Sequence, residues 1–315
     1  MEEKIVFGVV PSRRLGQSLG INNIPPKICS YSCIYCQVGR TLNFSTERSV
    51  FYSTDRIVNE VSSAIHQLKD RGEAIDFLSF VPNGEPTLDI NLGKEIAALK
   101  KFNIPIAVIT NASLIWKEDV RYDLKEADLV SIKIDTVKRD IWEKINRPDR
   151  ECLFNQMLEG IRIFASEFKG ALITETLLIK DVNDTLDNLK QTAKFISAIR
   201  PAIAYIGIPT RPPAEEGILP PKKTKILYAY KIFTDFSIKT ELITESGGSG
   251  SFGFTGNIEN DIVNTVSVHP MSETQIQELL KKASAKWSVM EKLLSEKRIN
   301  EIKYKEERYY IKNFK

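Results

Sequence analysis

The chain has 315 residues, 42% of them hydrophobic and 27% charged, with 44 Lys or Arg against 41 Asp or Glu for a net charge of +3. That balance excludes a disordered or fibrous polypeptide, and no apolar run approaches the roughly 18 residues of a membrane-spanning helix. The length allows two domains of about 150 residues or one large α/β barrel with an appendage.

The opening stretch MEEKIVFGVV has neither a basic n-region nor a long apolar h-region, which predicts a cytoplasmic protein. Arg13 and Arg14 follow, a guanidinium pair suited to a substrate phosphate or carboxylate, or equally to a solvated surface. Six apolar runs rich in β-branched residues then recur, each ending in a polar or turn cluster: SLGINNIP, DFLSFVPN, IPIAVITN, DLVSIKID, ALITETLLI and AIAYIGIPT. Between them lie segments of helical period. TDRIVNEVSSAIHQLKDRG is one, with Thr54 or Asp55 as its cap and Gly72 at its end, and NDTLDNLKQTAKFISAI is another. Such alternation predicts a parallel sheet covered by helices, either doubly wound or a partial (β/α)6 TIM-like barrel, with chemistry at the carboxyl ends of the strands. Arg211, in PTRPP after the sixth run, falls at that rim.

The pattern predicts a barrel over residues 1–240, a glycine-rich linker over 241–256 and a winged-helix-like domain over 257–315. GSGSFG satisfies a GxGxxG spacing, but its context favours a mobile linker or lid over a dinucleotide site, with a phosphate cradle as the alternative. In the last domain Ser272 and Gln275 have the spacing of a capping box, two amphipathic helices meet near SAKW, and INEIKYKEERYYIKN alternates like a two-stranded wing. From residue 272 onward there are eleven Lys or Arg against seven Asp or Glu, interleaved with Trp287, Tyr304, Tyr309 and Tyr310. Such a surface suits RNA, or else a capping or protein-contact role.

Three of the four cysteines fall in CSYSCIYC, at Cys29, Cys33 and Cys36. A secreted disulfide protein would scatter pairable thiols, so the bunching implies a reducing compartment. Structural zinc wants four ligands and often His, yet His66 and His269 are both distant in sequence. A redox CxxC leaves Cys29 unexplained. Iron–sulfur chemistry remains, since a cubane held through three irons leaves a fourth iron open to a small ligand. Cys152, alone in DRECLFNQM, reads as a small buried hydrophobe, with a radical-quenching or redox role as the alternative.

The spacing Cys29-x3-Cys33-x2-Cys36, with Tyr35 before the last thiol, resembles the signature of the radical S-adenosylmethionine (SAM) superfamily. That resemblance implies a 4Fe-4S cluster on the three cysteines, SAM chelated at its open iron, and an electron donor such as ferredoxin or flavodoxin. It implies that reductive cleavage of SAM yields a 5′-deoxyadenosyl radical. Tyr35 would then meet adenine. FVPNGEPTL resembles the family's GGEP element, with Asn83, Gly84 and Glu85 in place of Gly-Gly-Glu. ITNAS, with Thr110 and Asn111, resembles its TNG-type turn, and SIKID supplies Lys133 for a carboxylate and Asp135 for a ribose or amine. Taken singly, these residues also fit a turn, a helix cap and a salt-bridged strand end. PSRRLGQSLGINNIPPKICSYSCIYCQVGRT is similar to the start of wyosine-forming tRNA enzymes, strongly over residues 8–41 and weakly beyond about 210. The cysteines for their second cluster are absent, so their reaction is not implied. A tRNA or other RNA substrate, a protein, peptide or metabolite substrate, and a non-enzymatic iron–sulfur DNA sensor are the three functional readings. The NGEP and KID elements weigh against the sensor, which needs no SAM pocket.

Overall fold

The computed structural model describes residues 4–245 and 251–314. An antiparallel pair, β1 (Val6–Ser12) and β2 (Gly16–Ile21), opens the fold, and a short parallel pair, β3 (Ile28–Cys29) and β4 (Asn43–Phe44), follows. Strand and helix then alternate: α1 (Thr54–Lys69), β5 (Phe77–Phe80), α2 (Leu92–Leu99), β6 (Ile106–Thr110), α3 (Glu118–Leu124), β7 (Leu129–Lys133), α4 (Arg139–Asn146) and α5 (Phe154–Glu167). The series ends with β8 (Ala171–Leu177), α6 (Leu186–Ile199), β9 (Ile203–Gly207), α7 (Lys223–Asp235) and β10 (Thr240–Ile243). One eight-stranded sheet runs β1-β2-β5-β6-β7-β8-β9-β10, parallel from β2 onward, and curls into a partial TIM barrel.

The six expected strands are β2 and β5 to β9, in that order; β1 and β10 extend the sheet at its two edges. Burial on both faces explains their near-continuous apolar runs. Leu78, Phe80, Ile106, Val108, Val130 and Ile132 pack in the main core, while Ala107, Leu129, Ile173 and Tyr205 form a smaller cluster with Leu15. Alternation along a strand sends neighbouring residues such as Val108 and Ala107 to opposite sides. Helix α1 begins one or two residues earlier than expected, because its cap is neither Thr54 nor Asp55 but Ser53, whose side chain accepts the Arg56 N–H. Its buried face is Ile57, Val58, Val61, Ala64, Ile65 and Leu68.

The C-terminal module contains α8 (Ile258–Val266), β11 (Met271–Ser272), α9 (Glu273–Lys282), α10 (Ser288–Ser295), β12 (Ile299–Tyr304) and β13 (Glu307–Lys312). Its sheet has the order β11-β13-β12 and is antiparallel. Ser272 and Gln275 form the expected capping box. Helix α8, capped by Asn257, is an element that the sequence pattern does not predict. The module does not stand apart. Phe7 and Val10 of β1 share its core with Phe252, Ile262, Val266, Leu279 and Tyr310, and the Gly253 N–H donates to the Val9 carbonyl at 2.8 Å. The sheet therefore runs into the span expected to be linker, through β10, and the segment from Ser251 onward lies against β1. Residues 246–250, which include the start of GSGSFG, lie outside the described residues.

Candidate functional site

The three cysteines lie in the segment after β2, Cys29 ending β3 and Cys33 and Cys36 on the loop beyond it, and backbone hydrogen bonds hold that segment from both sides. Lys27 N–H donates to Asn83 O at 2.7 Å and Glu85 N–H to Ile28 O at 3.2 Å, tying it to the end of β5. Ile34 N–H donates to Ile145 O at 2.9 Å and Ser32 N–H to Asn146 O at 3.0 Å, tying it to the end of α4. Cys36 N–H closes a turn on Cys33 O at 3.0 Å. All three thiols are free, half-buried and face one cavity of about 380 Å³ at the carboxyl ends of the strands. Amide donors approach the sulfurs: Tyr31 N and Asn111 Nδ2 each lie 3.5 Å from Cys29 Sγ, and Asn146 Nδ2 lies 3.4 Å from Cys33 Sγ.

This donor set fits an iron–sulfur cluster. Among the described residues no three Cys, His, Asp or Glu side chains converge as ligands of a single ion would. A cubane makes no such demand, because each thiolate takes its own iron, and N–H groups aimed at sulfur tune such a cluster. Burial, with the neighbouring Cys36 next, pushes the Cys33 thiol up to about 12. Burial also raises Cys36 and, with Glu85 and Cys33 adding to it, lifts Cys29 well above the ordinary thiol range. Lys27 and Lys133 act in the opposite direction on Cys36. Three thiolates here need more positive charge than the chain alone provides, and iron would supply it.

The strand-end residues divide into two groups. Tyr35, Asn83, Gly84 and Lys133 line the cavity. A Cβ at Gly84 would run into the Ile28 carbonyl oxygen, so only glycine lets the end of β5 approach the cysteine loop this closely. Asn83, the departure from the double glycine, donates through Nδ2 to Ser267 O at 2.8 Å and so docks the C-terminal module. Lys133 lies 4.6 Å above the Tyr35 ring and pairs with Glu175 at 3.2 Å.

Glu85, Thr110, Asn111 and Asp135 stand behind this wall. The buried Glu85 carboxylate accepts from Thr87 N at 3.1 Å, Thr87 Oγ1 at 2.7 Å, Thr110 Oγ1 at 2.6 Å and Asn111 N at 2.8 Å. Asp135 accepts from Tyr35 OH at 2.5 Å, Asn146 Nδ2 at 3.2 Å and Leu177 N at 2.8 Å. Both carboxylates brace strand ends and orient the wall. Buried Cys152 packs in the main core with its sulfur 3.6 Å from Ser30 O.

The arginines line the same cavity. Arg14 pairs with Glu175, and Arg13 lies 3.5 Å from Glu245. Arg211 donates to Gln37 Oε1 at 3.2 Å and lies 2.9 Å from His269 Nε2. Lys27, Glu175, Asn146 and Gln37 do not stand out in the sequence, and His269 does so only as a residue distant from the cysteines. Glu175 had one signal: as Lys133's register partner on β8, it follows once strand pairing is known.

A curled parallel sheet with three thiols gathered at the mouth of its first parallel strand defines a partial-barrel protein with a thiol-lined cavity at that mouth. The chain belongs to the radical SAM superfamily, whose model matches residues 23–196. It is similar to the UPF0026 protein MJ1312 of Methanocaldococcus jannaschii, 46% identical over 312 residues that cover 99% of this chain and 97% of that protein. Among solved structures, a radical SAM methyltransferase from Sphaerobacter thermophilus has a TM-score of 0.56 at 15% identity, covering 73% of this chain and 67% of that one. TYW1 with a lysine-pyruvate adduct bound has a TM-score of 0.54 at 16% identity, covering 71% of this chain and 75% of that one. The two structures share the fold.

Proposed function

We propose that this protein is a radical SAM enzyme that holds a 4Fe-4S cluster on Cys29, Cys33 and Cys36 and acts on a small substrate bound between the cysteine loop and the arginine rim. The observation that carries this reading is the opening of three free thiols onto one cavity walled by Tyr35, Asn83, Gly84 and Lys133. When bound, cluster and SAM supply an electron transfer that splits the sulfonium into methionine and a 5′-deoxyadenosyl radical able to abstract hydrogen. Lys27 and Lys133 offset thiolate charge. Gly84 keeps the wall close to the cysteine loop, and Tyr35 offers an aromatic face to the adenine. The C-terminal module, which we read as winged-helix-like, covers one side of the cavity through Val268 and His269 and limits the access of water. A low-potential donor such as ferredoxin or flavodoxin is the expected reductant. The test is anaerobic reconstitution followed by assay of 5′-deoxyadenosine with SAM and dithionite: release supports the reading, and none at full iron loading overturns it.

A second reading, an RNA nucleoside as substrate, draws support from Lys281, Lys286, Lys297 and Lys303, which stay exposed on the module. Against it, the aromatics expected to stack on bases are engaged elsewhere. Tyr309 and Tyr310 are buried, Trp287 sits edge-on to Tyr310, and Tyr304 OH reaches Pro209 O at 3.3 Å. Copurified RNA lost steeply with salt would favour RNA; its absence favours the small substrate.

A further inference from the structure

Among the guanidinium groups that line the cavity, Arg211 is the one with no carboxylate in ion-pair reach among the described residues. Lys133 and Arg14 share Glu175, Arg13 has Glu245, and Lys27, which also lacks a carboxylate, is acted on by Cys36. The hydrogen-bond partners of Arg211 are both neutral. One is the Gln37 amide; the other is His269, kept uncharged by burial and by Arg211's own charge. Its Nε has no partner. Burial lowers Arg211 to about 10, with Tyr309 opposing and Arg14 and Arg13 adding to the fall. A half-buried guanidinium whose Nε is enclosed without a partner, held near other cations, is costly, and an anion would complete the site.

The charges of Arg14 and Arg13 act on Arg211, and no carboxylate among the described residues is one of its neighbouring charges. The fork is also held rigidly. Gln37 is fixed by Nε2 donating to Val268 O at 3.1 Å, and His269 sits edge-on to Phe252 at 5.7 Å. Tyr304 and Tyr309 bond the carbonyls of Pro209 and Thr210, immediately before Arg211, at 3.3 and 3.2 Å. The C-terminal module thus sets the position of an arginine carried by the barrel.

We propose that Arg211, oriented by Gln37 and His269 and flanked by Arg14, is the subsite for an oxyanion of the substrate, a phosphate or a carboxylate. This inference rests on the small-substrate reading above. The module is then a wall of the substrate site, and the substrate is an anionic small molecule.

The test titrates inorganic phosphate and, separately, acetate into the anaerobically reconstituted protein by calorimetry, with chloride holding ionic strength constant. Saturable binding of one probe, weakened roughly ten- to hundredfold in Arg211→Gln, supports the proposal. Preference for phosphate or acetate identifies which oxyanion the substrate carries. Should Arg211→Gln fail to fold, Arg211→Lys decides, because it keeps the charge and loses the fork: a several-fold loss of affinity supports the subsite. Saturable binding by neither probe, or binding indifferent to both substitutions, overturns it. Deoxyadenosine release by the unsubstituted protein is measured in parallel. Release without probe binding removes the subsite and leaves the SAM reading standing, whereas probe binding without release does the reverse.

Discussion

The two walls of the cavity treat charge differently. On the cysteine wall the chain answers its own polar groups: Glu85 and Asp135 are each saturated by three or more donors, and Lys133 has a carboxylate partner. At the arginine rim Arg211 is bonded only to neutral groups. A braced wall suits a resident group that must be placed once and kept, whereas an uncompensated cation suits a ligand that arrives and leaves.

Substitutions on either side test that contrast. The largest effect is expected for replacement of Cys29, Cys33 or Cys36 by Ala: each variant should lose iron and sulfide on reconstitution, and deoxyadenosine release should fall to background. Cys152→Ala, in the core, should keep both; iron loss there would remove the distinction between the three thiols and the fourth. Next, Glu85→Ala leaves buried donors on Thr87, Thr110 and Asn111 without an acceptor and should cost about 2–4 kcal/mol in urea unfolding. A cost within experimental error would mean that Glu85 does not brace the wall.

Outside the cavity, Glu95 lies in the first turn of α2, on its buried face. Burial, with Asp89's charge next, holds its carboxyl well above the ordinary range. The folded chain therefore keeps a proton that the unfolded chain releases above its ordinary value of about 4.3, so this group makes stability fall as pH rises from there. Glu95→Gln cannot titrate and should flatten the decline in urea midpoint between pH 5 and 8; an unchanged slope would contradict the assignment. The smallest effect is expected for Ser272→Ala, which removes the capping box of α9 at about 1 kcal/mol and should leave iron content unchanged.

The six central strands were legible because burial on two faces leaves a local, β-branched signature, and the cysteine spacing was legible because its ligands lie on one loop. Helix α8 was missed although Ile258, Ile262, Val263 and Val266 follow a helical period, because the preceding glycine run reads as a loop. Glu175, His269 and Gln37 gain their meaning from strand register and from the docking of the module on β1, neither of which is a local property. Glu85 and Asp135 were identified as polar strand-end residues, but their saturation by internal donors depends on three-dimensional neighbours. Asn83 shows the same limit: its departure from glycine is explained by Ser267, 184 residues away.

The central claim is that three thiolates hold a cubane with one iron open to SAM. Electron paramagnetic resonance of the dithionite-reduced, reconstituted protein, recorded with and without SAM, tests it most directly. The account predicts a reduced 4Fe-4S signal that changes shape when SAM is added. A signal indifferent to SAM at full iron loading, or purified protein carrying stoichiometric zinc in place of iron, would contradict it.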